Sequence, residues 1–344
     1  MPWHPRDKYC WDFWFAKQEQ TLHMFFLQAR QLACGYNPDK RHNLASVGHA
    51  VLTEGGWKEV YPNTPAFAPR EGDHWDNLSI WTGSIIQKDG LYYLFYTGRR
   101  KEDPWQTTLY ERSQPRQIGV AVSEDLNQWR RTPASLQAPV IPNPGPDGWF
   151  DGVNWHDPEV IYDEVHHRYY AFVCAHPQES PPDSGGAIAY ATSSDLENWQ
   201  AEPYRILYQS TEFYLTEVPQ VFWRRTNDGH FWRLYLLFSP RWSPLFKQPI
   251  PVGVTYYVRS QPVADRTQIS YDRIPWEEEP AHQLVLNSHA GKLIDSEARY
   301  PIFLGFQHED DQGNFVGAIS DVRWAIFNDD GTLCLSDRDP LTKQ

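Results

Sequence analysis

The chain has 344 residues, of which 40% are hydrophobic and 22% are charged, as is typical of a folded globular protein with a sizeable core. Its net charge of −13 argues against nucleic acid or an anionic membrane as the main partner, because both are themselves negatively charged. No run of about 18 apolar residues exists, so we expect no membrane-spanning helix.

The cysteines and the N-terminus indicate the compartment. Cys10, Cys34, Cys174 and Cys334 form no CxxC pair and no short framework, which favours mostly buried free thiols in a reducing environment. The N-terminal "MPWHPRDKYCWDFWF" lacks the basic region, apolar stretch and small-residue cleavage site of a secretion signal. We therefore expect a cytoplasmic protein.

A short aromatic motif recurs along the chain and predicts strands. Its copies are short, aromatic and β-branched, and they are bounded by Gly, Pro, Asn and Asp. They lie roughly 65 to 75 residues apart, a long period for a blade-like unit. The five copies are "LHMFFLQA" at 22–29, "LYYLFYTG" at 91–98, "RYYAFVCA" at 168–175, "RLYLLFSP" at 233–240 and "PIFLGFQH" at 301–308.

A second motif follows three of these copies and resembles a polar hairpin turn that leads to a packed tryptophan. It places Trp57, Trp129 and Trp199 at the same spacing, and a looser fourth copy begins at Gly253. No segment holds a 3.6-residue apolar period for several turns. Five copies of a multi-stranded unit predict an all-β, five-bladed β-propeller with a single domain over residues 1–344. A pair of β-sandwiches would not explain the regular repeat.

Acidic residues near the start of three blades are the candidate chemical groups. The innermost strand of each propeller blade lines the central channel, and the sequence places Asp12, Asp157 and Glu217 on three of these strands. Asp157 is followed by Pro158, which we expect at the first residue or the edge of a strand because proline cannot donate to a sheet ladder. The second blade offers "IWTGSII" instead of an acid.

Three carboxylates that converge from different blades predict glycoside hydrolysis. Like charges held close together are costly unless they are used. One carboxylate can attack or activate, one can donate a proton, and one can hold sugar hydroxyls. For each acid alone, a turn or capping role is the simpler interpretation. All three in register with the repeat favour a site for a small carbohydrate, with aromatic side chains stacked on the sugar.

At these residues the chain resembles the five-bladed propeller glycosidases that act on furanosides, the clan of invertases, levanases and levansucrases. The matching motifs are "CWDFW", "WTGS", "HDP" and "EVP", together with "GHA" at 48–50 and the hairpin "IGVAVSEDLNQW". They run through nearly all of the chain in the clan's order. The resemblance implies no organic cofactor, and the chain has no phosphate-cradling glycine loop.

The resemblance also implies roles for individual residues. Asp12 would be the nucleophile, Glu217 the general acid and then the base, and Asp157 the group that binds sugar hydroxyls and stabilises the transition state. Ser84 would position Asp12 by a hydrogen bond. Trp11 and Trp81 would shape the sugar subsite, and His49 and His156 would share the pocket as hydroxyl-binding groups.

Two positions depart from the clan's pattern, and both concern the sugar subsite. The arginine of the clan's "RDP" is His156 here, and a histidine cannot reproduce the fixed fork of donors of a guanidinium. The residue after the acid/base is Val218, where the clan has arginine or cysteine. These changes leave the carboxylate chemistry intact and bear on which sugar is bound. We also expect no β-sandwich after the propeller, because the sequence ends near residue 344.

Three hypotheses follow. The first is a retaining β-fructofuranosidase acting on sucrose or a small fructoside, with transfer if an acceptor sugar outcompetes water. The second is an inverting α-L-arabinofuranosidase or β-xylosidase, in which Asp12 activates a water. The third is a carbohydrate-binding propeller without turnover.

No metal site is predicted, because the histidines, among them His23 and His289, lack the spacing of a zinc motif.

Overall fold

The computed structural model describes residues 2–101, 115–145, 148–242, 253–278 and 280–342. Within these ranges the chain forms five antiparallel sheets, which are the five blades of the predicted propeller. The first strands of the blades contact one another in a closed ring around the central channel. The predicted fold class is confirmed. Its extension over all of 1–344 includes residues outside the described ranges and stays a prediction.

The first three blades each contain four strands in sequence order from the channel outward. Blade 1 comprises β1 Lys8–Gln18, β2 Thr21–Arg30, β3 Ser46–Thr53 and β4 Gly56–Glu59. Blade 2 comprises β5 Ser79–Lys88, β6 Leu91–Arg99, β7 Arg116–Ser123 and β8 Arg130–Arg131. Blade 3 comprises β9 Phe150–Asp163, β10 Arg168–Pro177, β11 Ala187–Ser193 and β12 Trp199–Gln209.

The last two blades follow the same plan, with one additional strand in blade 5 that pairs with β18. Blade 4 comprises β13 Leu215–Arg225, β14 Trp232–Arg241, β15 Thr255–Arg259 and β16 His282–Val285. Blade 5 comprises β17 His289–Ile294, β18 Ile302–Glu309, β19 Phe315–Ile319, β20 Arg323–Phe327 and β21 Leu333–Ser336. The helical elements are short: α1 Pro133–Gln137 and the 3₁₀ turns Pro38–Leu44, Arg266–Gln268 and Tyr271–Arg273.

The five copies of the aromatic motif are the second strands of the five blades, β2, β6, β10, β14 and β18. These strands pair on both edges, so their backbone groups are satisfied within the sheet. Their side chains are almost entirely buried, since both faces of a blade pack against neighbouring blades. A strand buried on both faces is apolar throughout, which explains the continuous aromatic runs.

Two tryptophans of the hairpin motif, Trp129 and Trp199, pack between adjacent blades, while Trp57 stacks on Phe15 of its own blade. Trp129 of blade 2 packs edge-on against Phe25 of blade 1 at 5.7 Å, and Trp199 of blade 3 packs edge-on against Phe95 of blade 2 at 5.3 Å. Each such aromatic pair contributes about 0.5–1.5 kcal/mol beyond its buried area. The turn before Trp129 and Trp199 is in each case held by an aspartate, Asp125 or Asp195, whose side chain accepts two backbone N–H groups.

The ring is closed by a pairing between the two ends of the described chain. Trp3 and Ile319 of blade 5 exchange two backbone hydrogen bonds of 2.8 and 2.7 Å. This bridge places β1 against β17 and so completes the channel wall.

The cysteines and the membrane prediction can also be compared with the structure. Cys10, Cys34 and Cys174 are buried free thiols, while Cys334 is exposed, in keeping with mostly buried free thiols. Over the ranges that the structure covers, no helix has the length and apolar character needed to cross a membrane.

Candidate active site

A cavity of about 330 Å³ lies on the channel and takes lining residues from all five blades. The three predicted carboxylates, Asp12, Asp157 and Glu217, are among them. Trp11, Trp81 and His156 also line this cavity, which we call the pocket. The structure therefore brings six of the eight predicted site residues together.

A β-bulge in the first strand of each blade directs these side chains into the pocket. The pairing register shifts at Asp12 in β1, at Thr82 in β5, at Asp157 in β9, at Val218 in β13 and at Ala290 in β17. At four of these positions the extra residue has a positive φ, of 24°, 56°, 51° and 52° at Asp12, Asp157, Val218 and Ala290. Such conformations cost of order 1–3 kcal/mol for residues other than glycine, and they cluster at functional sites.

The bulge in β9 also explains Pro158. The proline lies inside β9 rather than at its start, but β9 is the edge strand of its blade. Pro158 lies at the shift between the pairs that Phe172 and Cys174 make with β9. Its missing N–H therefore costs no ladder hydrogen bond. The prediction that Pro158 begins or borders its strand is wrong, because the bulge lets the proline lie inside β9.

Asp12 is largely enclosed, with its side chain 13% exposed, and is held by one strong hydrogen bond. Thr82 Oγ1 donates to Asp12 Oδ2 at 2.5 Å, and His289 Nε2 lies 3.9 Å from Asp12 Oδ1. Burial raises the pKa of Asp12, and the charge of Glu217 acts in the same direction, while His289 and Thr82 lower it. The net result is a pKa above the ordinary value, with the carboxylate orientation fixed by Thr82.

Asp157 bridges two blades. Its Oδ2 accepts a 3.1 Å hydrogen bond from the backbone N–H of Val218, and its own N–H donates to Thr97 Oγ1 at 2.9 Å. Burial raises the pKa of Asp157 well above its ordinary value, and the charges of Asp12 and Glu217 raise it further. The hydrogen bond to Asp157 also compensates for the left-handed backbone of Val218, which a β-branched residue rarely adopts.

Glu217 is surrounded by donors. Its Oε1 lies 3.5 Å from both His156 Nε2 and Arg241 Nη1, and its Oε2 lies 3.9 Å from His289 Nε2. Burial acts to raise the pKa of Glu217, but the contact with His156 and the charge of Arg241 outweigh it. The pKa of Glu217 is thus held below its ordinary value, opposite to that of the two aspartates.

His156 lies close to two of the three carboxylates, Asp157 and Glu217. It is buried, and its Nε2 lies 3.8 Å from Asp157 Oδ2 as well as near Glu217. Burial and then the charge of Arg116 lower the pKa of His156 to about 4, so its imidazole is neutral at pH 7. Neither ring nitrogen makes a full hydrogen bond to a described residue. A buried polar group in this state needs a ligand or water to satisfy it.

The predicted role of Ser84 is wrong. Ser84 Oγ accepts a 3.0 Å hydrogen bond from the backbone N–H of Val160 and lies away from Asp12. It lines a separate cavity of about 420 Å³, which the later residues of the first strands form. The hydroxyl that holds Asp12 belongs to Thr82, two residues earlier, because the bulge in β5 changes which neighbour each side chain meets.

The predicted place of His49 in the pocket is also wrong. His49 is buried in blade 1, where its Nε2 lies 2.8 Å from His23 Nδ1 and its ring stacks on Phe25 at 4.4 Å. Burial, and then the charge of the neighbouring His23, lower the pKa of His49 to about 3. His49 is therefore a neutral histidine of the blade 1 core.

Several pocket residues were not found from the sequence. They are basic or aromatic and come from loops and strand ends: Arg41, His42, Arg241, Trp242, His289 and His308. Of these, only His289 was named from the sequence, as one of the histidines that lack metal-site spacing. The six residues carry no motif. Only the repeat register would have pointed to Arg241, which follows the fourth copy of the aromatic motif and ends β14, and to His289, which begins the first strand of blade 5.

Thr82 and Ser84 offer a matched pair of substitutions. Thr82→Val should lower kcat/KM by about 10- to 100-fold, since a hydrogen bond to a charged group contributes about 1.5–3 kcal/mol. It should also move the acidic limb of the pH profile upward, because a lost donor raises the pKa of Asp12. Ser84→Ala should lower the melting temperature and leave that limb in place. A shift with Ser84→Ala and none with Thr82→Val would show that the hydrogen bond to Asp12 is unimportant.

Comparison with known proteins identifies the family. The model of the glycosyl hydrolases family 32 N-terminal domain matches residues 57–278. The chain belongs to glycosyl hydrolase family 32. The predicted resemblance is therefore confirmed, and the match includes Asp157 and Glu217 and lies C-terminal to Asp12.

Individual relatives of this family 32 chain are distant. A sucrose-6-phosphate hydrolase of Pediococcus pentosaceus is 24% identical over 164 residues, which cover 48% of this chain and 27% of that protein. The structure is similar to that of sucrose-6-phosphate hydrolase from Lactobacillus gasseri, with a TM-score of 0.69, 16% identity and coverage of 97% of this chain and 62% of the other. The chain thus spans less than two thirds of the length of both relatives.

A third similar structure has nearly the same length as this chain. An exo-1,5-alpha-L-arabinanase from a bovine ruminal metagenomic library matches with a TM-score of 0.57 at 10% identity, over 97% of this chain and 99% of that one. At this level of identity the similarity shows the shared propeller fold.

Proposed function

We propose that this family 32 chain is a retaining β-fructofuranosidase that hydrolyses sucrose or a small fructoside. The observation that carries the proposal is the convergence of Asp12, Asp157 and Glu217 from three blades in one pocket. Asp12 Oδ1 and Glu217 Oε2 both lie 3.9 Å from His289 Nε2, so they are at most twice that distance apart. This upper limit is compatible with the distance between the two catalytic carboxyl groups of a glycosidase.

In the proposed reaction Asp12 attacks the anomeric carbon while Glu217 protonates the leaving oxygen. The bond to the leaving group breaks, a fructosyl ester of Asp12 forms, and water activated by Glu217 then releases the sugar. Thr82 keeps Asp12 in the orientation for attack. Asp157 holds sugar hydroxyls and stabilises the positive charge of the transition state.

Glu217 has to gain a proton for this role. Its contacts with His156 and Arg241 favour the ionised form before substrate binds. A sugar oxygen placed between Arg241 and Glu217 would take over the guanidinium's hydrogen bond and exclude water, and both changes raise the pKa of a carboxyl. The three coupled carboxyls share protons, so substrate binding can move one onto Glu217.

His156 supports binding of a polyhydroxy ligand. Both ring nitrogens are buried in the pocket wall without a full hydrogen bond to a described residue. A neutral imidazole has one donor and one acceptor, which suits a sugar hydroxyl that can accept and donate. This is a different recognition from the fixed fork of an arginine.

A second candidate function is an inverting arabinofuranosidase. The observation that favours it is His156 at the position of the clan's arginine, which removes the recognition expected for fructose. The upper limit on the distance between the Asp12 and Glu217 oxygens, twice 3.9 Å, admits the separation of about 5 Å for retention and the lower part of the range of about 6.5–9.5 Å for inversion. In that case Asp12 would activate a water instead of forming an ester.

Proton NMR of the reaction distinguishes these functions. Purified protein is mixed with sucrose, sucrose 6-phosphate, an arabinofuranoside or a xyloside, each beside the Glu217→Gln variant. We expect release of fructose from one of the first two, together with glucose from sucrose or glucose 6-phosphate from sucrose 6-phosphate. The β-anomer of fructose should appear first, and turnover should be lost in the variant. Turnover of the arabinofuranoside alone, with the inverted anomer first, would replace the fructofuranosidase by the second candidate. Binding without turnover of any substrate would indicate a carbohydrate-binding propeller.

A further inference from the structure

A second cavity lies on the same channel as the pocket. Its volume of about 420 Å³ exceeds the volume of about 330 Å³ of the pocket, and the two share no lining residue. The second cavity takes residues from the first strands β1, β5, β9, β13 and β17, in each strand C-terminal to those that line the pocket. This cavity, which we call the rear cavity, therefore lies farther along the channel than the three carboxylates. Its volume is in the range of sites that bind small molecules.

The rear cavity is open to solvent at its mouth and lined by buried side chains at its inner end. Lys17, Gln20 and Asp295 are exposed and form the mouth. Trp14 and Lys292 are only 3% and 5% exposed and form the inner end. A dissolved molecule that enters at the mouth can therefore contact polar groups that are shielded from bulk water.

A lysine–glutamate pair at the inner end of the rear cavity is not closed. Lys292 Nζ lies 3.5 Å from Glu159 Oε2 and donates to the Pro219 carbonyl at 2.7 Å. A comparable pair in blade 1, Lys8 with Glu59, closes at 2.5 Å. The side chains of the two pairs are similarly enclosed, at 6% and 17% exposed in the rear cavity and 4% and 13% in blade 1. The longer distance in the rear cavity leaves hydrogen-bonding capacity unused on both groups.

Three polar groups of the rear cavity lack a partner among the described residues. An ammonium group has three protons, and one of those on Lys292 has no described acceptor. Glu159 Oε1 accepts no hydrogen bond from the described part of the chain, because the single contact of this carboxylate is made by Oε2. Trp14, which lines the same cavity, has a buried indole N–H without a partner. Two donors and one acceptor therefore require an occupant of the cavity.

The rest of the wall defines the chemistry of this occupant. Much of it is apolar, with Phe15, Ile85 and Ile302 among its residues. Its two lysines balance its two acidic residues, so the cavity has no excess charge that would select an ion. A neutral polyhydroxylated ring presents apolar C–H groups together with hydroxyls that both donate and accept. Such a ring matches an apolar wall with a few polar groups, whereas an inorganic anion or a hydrocarbon matches only one of the two features.

We propose that the rear cavity is a second carbohydrate site, which binds a monosaccharide against Lys292 and Glu159. A sugar hydroxyl that bridges these two groups accepts a hydrogen bond from the ammonium and donates one to the carboxylate. The Trp14 indole N–H donates to a second oxygen of the same sugar. The site goes beyond the proposed function, since it contributes no group to the reaction and does not depend on which furanoside the pocket hydrolyses.

The test is NMR of the indole N–H signals of protein labelled with nitrogen-15 tryptophan, titrated with D-glucose and D-fructose. The signal of Trp14 is assigned by its loss in Trp14→Phe, and those of Trp11 and Trp81 report on the pocket separately. The Trp14 signal should move and saturate with a dissociation constant of the order of 1 mM for at least one of the two sugars. Cyclohexanol, a ring of similar size with one hydroxyl, should bind at least tenfold more weakly. A Trp14 signal that moves with neither sugar, or equally well with cyclohexanol, would overturn the proposal.

Paired substitutions identify the groups that bind the sugar. Lys292→Met combined with Glu159→Leu removes both charges at once and leaves no buried charge unpaired, so the protein should still fold. Its affinity for the sugar should fall at least tenfold, the expected effect of losing hydrogen bonds to charged groups. Lys8→Met combined with Glu59→Leu makes the same change outside the rear cavity and should leave the affinity unchanged. Ile85→Phe narrows the cavity without changing a charge and should also weaken binding. Unchanged affinity in the first double variant, or an equal loss in both, would contradict the proposal. Because these measurements need no turnover, they are decided separately from the fructofuranosidase proposal.

Discussion

Replacing Asp12 by asparagine is expected to lower kcat/KM on the order of 10⁴-fold or more, because an amide can neither attack the anomeric carbon nor activate water. Binding should change much less, since the amide is isosteric and can still pair with Thr82. The loss should therefore appear mainly in kcat. Initial rates on the substrate that NMR identifies, with a separate measurement of ligand binding by calorimetry, give both quantities.

The control for this substitution is Asp311→Asn, which removes the same charge from an exposed loop of blade 5. It should behave as the wild type. Retained activity in Asp12→Asn would remove Asp12 from the reaction and, with it, the proposed nucleophile. In the wild type the raised pKa of Asp12 predicts that kcat/KM falls as the pH drops through a value above 3.8, since the protonated acid cannot attack.

The Glu217→Gln substitution is expected to lower kcat/KM for sucrose by about 10²–10⁴-fold, the contribution of a general acid–base group. The reason is that the glucose oxygen leaves poorly without a proton. A glycoside with an activated leaving group such as nitrophenolate needs no proton, so its first step should be far less affected. Parallel rate measurements on the two substrates test this difference.

A matched control lies in the segment before β13. Glu212 is exposed, and Glu212→Gln removes one negative charge without touching the pocket. It should leave both rates unchanged. Equal losses on both substrates in Glu217→Gln would argue for a role in binding or orientation instead of proton transfer.

The fold could be predicted from the sequence because its strongest signal is local. The second strand of each blade is buried on both faces, and this demand produces the aromatic runs that recur at 22–29, 91–98, 168–175, 233–240 and 301–308. The spacing between runs then counts the blades. The polar hairpin turns before Trp129 and Trp199 could also be predicted from the sequence, because Asp125 and Asp195 accept hydrogen bonds from backbone N–H groups only a few residues away.

The site was predictable only in part, because its geometry depends on the bulges. In a regular strand, residues two apart point to the same side, so Thr82 and Ser84 are equivalent choices for holding Asp12. The bulge between Trp81 and Gly83 ends that equivalence, and one hydroxyl meets blade 1 while the other meets blade 3. No residue type in the sequence marks the position of this register shift in β5.

The residues that contact Glu217 from other strands were not predicted, for a different reason. Arg241 and His289 contact Glu217 from two other strands, β14 and β17. No local sequence pattern links either residue to Glu217. His49 illustrates the converse error. Its motif was recognised, but the packing of blade 1 directs the ring onto Phe25 and away from the channel.

The pairing of Trp3 with Ile319 joins segments that lie near opposite ends of the described chain. Asp12 in blade 1 and His289 in blade 5 face each other only when the first and the last blade are packed together. During refolding, secondary structure should therefore be regained well before turnover. Catalytic competence is a property of the closed ring as a whole and not of any single blade.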